Sequence, residues 1–216
     1  MKRKQIRLWF FCILVFSSPS LHGDAQLETW FDLNLSYEFS PKTTIDIKQE
    51  WETADGLRDF YWYHIEAALR KNIGSNFELG AHTRYIRRRN SLWVHELRPG
   101  VSLRYAGEIN NLYWYTRAKV DYRAVEKENN RAMIHYLLGA YLAETADASL
   151  YVSDEISFNY YGNKQVDFNI ATLGIEGPIS THTQWGVYFS NYVFKKESNA
   201  GWSASNALGF AFNLFF

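Results

Sequence analysis

The sequence predicts an all-β chain: a transmembrane antiparallel up-and-down β-barrel of about 10–12 strands, following a cleaved signal peptide. Three observations carry that prediction. Polarity alternates with period two along almost the whole chain. The alternating segments run about 10–13 residues, the length that a tilted strand needs to cross a bilayer. Aromatic residues gather where those segments end.

Lys2, Arg3, Lys4 and Arg7 form a positive stretch, and Leu8 to Phe16 is a short apolar run. Gly23-Asp24-Ala25 places small residues at the −3 and −1 positions of a cleavage site after Ala25. This is the pattern of a secretory signal peptide. The apolar run is about half of the ~20 residues that a spanning helix requires. The chain thus divides into residues 1–25, the signal peptide, and 26–216, the barrel, with the outer membrane as the expected location. Cys12 is the one cysteine and lies in the leader. The exported part has no thiol for a disulfide or a thiolate metal site.

The first wall segment sets the pattern. Leu27, Thr29, Phe31, Leu33, Leu35, Tyr37 and Phe39 share one face; Glu28, Trp30, Asp32, Asn34, Ser36 and Glu38 share the other. A strand points successive side chains to opposite faces, so one face is apolar and one polar. The same alternation recurs around Ile45–Glu52, Tyr63–Arg70, Phe77–Tyr85, Glu96–Tyr105 and Leu112–Arg123, and more weakly around 134–142 and 150–158. Segments near 166–176 and 183–194 are the least regular. Eleven segments are found, whereas bacterial single-chain barrels have an even number, so ten or twelve strands are expected.

Turn-forming clusters separate the segments. They are Ser40-Pro41-Lys42, Ala54-Asp55-Gly56, Asn72 to Asn76, Arg88-Arg89-Asn90, Gly107 to Asn111, Glu126 to Asn130, Glu144 to Asp147, Gly162-Asn163, Gly177-Pro178 and Ser198-Asn199. Trp51, Trp62, Trp93 and Trp202 fall near one set of turns, and Tyr105, Trp114 and Trp185 near the other. Two aromatic girdles are the expectation for an outer-membrane barrel. The last segment carries Leu208, Phe210, Phe212, Leu214 and Phe216 on one face. Its terminal Phe216 looks like an assembly signal read by the barrel-assembly machinery.

The stretch from Trp30 onward resembles the domain of unknown function 2490 family. The residues that carry the resemblance are Glu28-Thr29-Trp30, the strand Ile47 to Glu52, and Arg84 to Arg89 leading into His95-Glu96-Leu97-Arg98-Pro99. The Arg-rich strand Thr116 to Arg123, Asp154-Glu155, Phe168-Asn169 and Leu173-Gly174 continue the order. The resemblance implies an outer-membrane barrel without an established activity, and it transfers no catalytic residue.

Lys+Arg and Asp+Glu both number 23. That balance argues against nucleic acid, whose phosphates demand a basic excess. The polar face is expected to line the lumen. Its candidate charge network is Lys48, Glu50, Glu96, Arg98, Arg104, Arg117, Lys119, Asp121 and Arg123. Charges of both signs on neighbouring strands are expected to pair and plug the lumen. The alternative is a narrow, anion-preferring channel lined by Arg104, Arg117, Lys119 and Arg123.

A lipid-active enzyme is the third reading. His64, His82 and His135 lie on the polar face, with Ser102, Ser153 and Ser157 as partners by parity. No nucleophile-elbow motif accompanies them, and bilayer substrates require the pair on the outer side. Neither a cofactor nor a metal is expected, since no i, i+2 or i, i+4 histidine pair occurs. Outer-membrane lipids and lipopolysaccharide are the expected surroundings, with Arg87-Arg88-Arg89 at a strand end able to meet lipopolysaccharide phosphates.

Overall fold

A computed structural model describes residues 27–54, 57–89, 92–126, 130–160, 165–195 and 201–216. The predicted leader with Cys12 and Ala25 lies outside the described residues. So do Asp55-Gly56, Asn90, Gly162-Asn163 and Ser198-Asn199 among the expected turns.

Eleven strands form one closed barrel. They are β1 (Leu27–Ser40), β2 (Thr43–Ala54), β3 (Asp59–Ile73), β4 (Phe77–Arg89), β5 (Trp93–Ile109), β6 (Leu112–Val125), β7 (Arg131–Glu144), β8 (Ser149–Asn159), β9 (Gln165–Ser180), β10 (Thr183–Lys195) and β11 (Trp202–Phe215). Consecutive strands pair antiparallel. With an odd count, the first and last strands point the same way, and β1 pairs β11 in parallel, from Leu27↔Asn206 to Ser36↔Phe215. Eleven strands fall within the 10–12 expected, whereas the expected even number, and with it antiparallel pairing throughout, is corrected. All eleven segments are wall strands, and the seam absorbs the odd number. The terminal residue is built into that seam. Phe216 N–H donates to the Ser36 carbonyl at 2.8 Å, and Glu38 N–H donates to the Phe216 carbonyl at 2.9 Å.

The two ends of the barrel differ. At one end the strands are separated by residues 41–42, 74–76, 110–111, 145–148 and 181–182; at the other by 55–58, 90–92, 126–130, 160–164 and 196–201. The first set is shorter. Asn110 and Asn111 both have positive φ (52° and 63°). That conformation suits a two-residue hairpin turn whose twist matches its strands, and asparagine tolerates it well.

Three expectations on local structure change. Gly177-Pro178 is not a turn but part of β9, which runs on to Ser180. Gly177 is there for close approach, since a Cβ at this position would strike the Asp147 backbone carbonyl. Pro178 sits beside a register shift, where a missing N–H is tolerated. Arg88 and Arg89 belong to β4 rather than to a turn, and Arg88 points inward while Arg87 points outward. Trp62 leaves the girdle. It shares parity with His64 and pairs with the inward Glu52 and Arg88, so it faces the interior, where its indole donates to His64 Nδ1 at 3.4 Å.

The barrel carries its apolar residues outside. Phe39, Leu69, Val101, Leu103 and Leu138 are exposed on the outer face, while Glu96, Asp121 and Lys119 are buried inside. Around β6–β11 the interior alternates large and absent side chains. Tyr115 lies over Gly139, Tyr151 over Gly174 and Tyr188 over Gly209, each tyrosine directly opposite its glycine on the next strand. A ring covering a glycine fills the space that no side chain occupies. This pattern explains why β9 and β10 read as irregular: their inward positions include Gly174, Gly186 and Tyr188 in place of charges.

Gly209→Val drives a side chain into the Tyr188 ring. It is expected to destabilise the barrel by about 1–3 kcal/mol, as overpacking does. Urea unfolding followed by tryptophan fluorescence measures it, and Ala67→Val, at an exposed outward position in a regular strand, is the size control.

Candidate functional site: a charged barrel interior

The inward residues of β1–β8 form three connected groups of charge. In the middle group, Lys48 Nζ lies 2.8 Å from Asp32 Oδ1 and 2.7 Å from Glu50 Oε2. Tyr188 donates its hydroxyl to Asp32 Oδ2 at 2.5 Å, tying β10 to β1. Arg84 Nη2 lies 2.6 Å from Glu66 Oε2. Lys119 then crosses from β6, 3.5 Å from Glu66 on β3 and 3.4 Å from Asp121. Strands β3 and β6 are not neighbours, so this contact is a chord across the lumen.

Asp121 is the hub of that group and is 0% exposed. His82 Nε2 sits 2.7 Å from Oδ1, and His135 Nε2 sits 3.4 Å from Oδ2. The other His135 nitrogen lies 3.3 Å from Glu155 Oε1, and Arg117 Nη2 reaches Glu155 Oε2 at 3.0 Å. The network thus runs from β3 to β8 without leaving the interior.

Toward the end of the longer connections, Glu96 collects arginines. Arg98 bonds its Oε1, Arg123 Nε donates to the same atom at 2.6 Å, and Arg88 Nε stands 3.9 Å from Oε2. Toward the short turns, Arg70 bridges Asp46 (Nη2 to Oδ1, 2.6 Å) and Glu78 (3.3 Å). Arg104 lies over the Tyr115 ring, its guanidinium carbon 5.1 Å from the centroid.

Every residue of the sequence-derived network faces the interior. Lys48, Glu50, Glu96, Arg98, Arg117, Lys119, Asp121 and Arg123 all hold opposite charges, and Arg104 holds an aromatic face. Within each group the pairs join residues far apart along the chain, as Lys119 and Glu66 are. Asp32, Glu66 and Tyr188 were missed as members. Their signal was present as parity: Asp32 alternates with Phe31 and Leu33, and Glu66 with Ile65 and Ala67.

His64, His82 and His135 are all buried inside. Ser157 is directly opposite His135 and fully buried. None of these reaches the outer face. Among the described residues, no group of three or more His, Cys, Asp or Glu is arranged to hold a metal ion.

The family described as Protein of unknown function (DUF2490) matches residues 27–203. The chain belongs to this family. The match spans β1 to the start of β11, so in this DUF2490 member the family unit is the barrel wall itself. No curated protein matches the chain.

Asp121→Ala removes the shared partner of Lys119, His82 and His135. Breaking a buried ion pair from one side is expected to cost about 3–5 kcal/mol, because charge is left inside without its counter-charge. Denaturant unfolding checks it. The outward Val120→Ala, one residue away, is expected to change stability far less.

Proposed function

We propose that this chain is an outer-membrane β-barrel closed by its own paired interior charges, serving as a structural or interaction barrel. The inside-out distribution of polarity carries the reading. A soluble barrel buries its apolar face, whereas here the outer wall is apolar and the charges are within, as lipid on the outside requires. Each cation of the would-be anion path is already neutralised or stacked: Arg117 by Glu155, Lys119 by Glu66 and Asp121, Arg123 by Glu96, and Arg104 on Tyr115. Buried histidines and serines have no route to a bilayer substrate, which favours a non-enzymatic barrel.

The shorter turns and Phe216 share one end, which we assign to the periplasm. Phe216 is 67% exposed there, open to the assembly machinery. At the opposite rim Arg87 projects outward, its guanidinium 4.4 Å from the Trp93 ring centroid. A cation held on an interfacial aromatic suits lipopolysaccharide phosphate.

One observation favours a second reading, the narrow channel. The side chains of Lys48 and Arg117 keep 35% and 36% exposure inside the wall. Planar-bilayer recording separates the two. Folded, heat-modifiable protein from the outer-membrane fraction is expected to be silent, and the double variant Glu66→Ala/Lys119→Ala, which removes the chord, is expected to conduct. Steady ion-selective steps from the unaltered protein would make it a channel. Recovery in the soluble periplasmic fraction would end both readings.

A further inference from the structure

The outer wall is apolar at mid-height, as Leu103, Leu138, Leu173 and Phe189 illustrate. Gln49 on β2 and Thr83 on β4 interrupt it singly, and one region departs from it as a cluster. On β8–β11, Asp154, Asn169, Asn191 and Asn206 all occupy outward positions, alternating with the inward Ser153, Ile170, Ser190 and Ala207.

Asp154 is the middle residue of β8, five places from each end, and it is exposed. Asn169 donates its amide to Asp154 Oδ1 at 2.5 Å. No cation among the described residues pairs with this carboxylate. Next to it, Asn191 donates to Asn206 Oδ1 at 2.9 Å. Ala171 lies between the two pairs, opposite Asp154 on one side and Asn191 on the other. Ala204 lies at the patch edge, opposite Val193.

A carboxylate at mid-height, facing hydrocarbon with a neutral amide as its partner, is unfavourable, and a leucine there would not be. A second polar surface laid over it removes the conflict. We infer that the β8–β11 face is a homodimer interface, occupied by a second copy of this chain about a two-fold axis. The inference rests on the outer-membrane reading above. The chemistry of the patch selects the partner. Asp154 only accepts hydrogen bonds, whereas each asparagine both donates and accepts. A two-fold rotation sets amide donors of one copy against the carboxylate and carbonyls of the other, so the surface complements itself. Ala171 at the centre and Ala204 at the edge keep the patch low, which lets two walls approach closely, as small residues do between membrane segments.

Single cysteines test it, in the full chain carrying Cys12→Ser. Val193→Cys, opposite Asn169 and Ala204, and Ala204→Cys sit in the patch; Val101→Cys on β5 is an exposed outward control on another part of the wall. Oxidation in isolated outer membranes is expected to give disulfide-linked dimers of this chain at the patch and few at Val101. Adding Asp154→Leu is expected to lower dimer yield several-fold while heat-modifiable migration persists. In mild detergent, light scattering of the unaltered protein is expected to give twice the chain mass. Equal crosslinking at patch and control, a monomer mass, or adducts with a different protein would overturn the inference and leave the membrane reading standing. Absence from the outer-membrane fraction would instead overturn the membrane reading, and the inference with it.

Discussion

Everything in this fold answers to one constraint: charges enclosed by a narrow cylinder must find opposite charges within side-chain reach. Taking an ion out of water costs several kcal/mol unless Coulomb attraction and hydrogen bonds offset it. The wall supplies partners by register. Glu66 meets Arg84 on the next strand, and Arg117 reaches Glu155 two strands away. Lys119 then satisfies Glu66 across the lumen. A slip of one residue in any strand would send its charges outward and its leucines inward, so the pairing and the register enforce each other.

The same constraint explains the asymmetry of the interior. Strands β2–β6 supply most of the acids and bases. Strands β7–β11 supply far fewer and fill their share with rings over glycines, of which Tyr151 on Gly174 and Tyr188 on Gly209 are the plainest. Tyr188 joins the two halves, since its ring packs on glycine and its hydroxyl bonds Asp32. Both devices fill space without leaving an isolated charge. The closing seam is a further consequence. With eleven strands the ends of the wall run in the same direction, and parallel hydrogen bonds serve where antiparallel ones cannot.

The fold class and the inward face were legible because side-chain direction in a strand has period two, and period two is visible without any contact. Lys48, Glu50, Arg98 and Asp121 could be assigned to one face from their neighbours alone. The strands that misled were those whose inward residues are not charged. Gly177-Pro178 resembled a turn because glycine serves both turns and close approach, and only the Asp147 carbonyl above it distinguishes the two. Trp62 lies near a turn, as a girdle residue does, yet it shares parity with His64, and parity decides the face.

Residue order alone sets the two-faced wall, the residues on each face and the balance of charge between them. Local chemistry suffices for these, since each depends on residues one or two places apart. Which side chains meet is settled only when the sheet closes. The odd strand number with its parallel seam, the Glu66–Lys119 chord and the gathering of His82, His135 and Lys119 on Asp121 all depend on closure. Closure brings together residues tens of positions apart. That distance is fixed by the curvature of the whole sheet, and no segment of the chain encodes it alone.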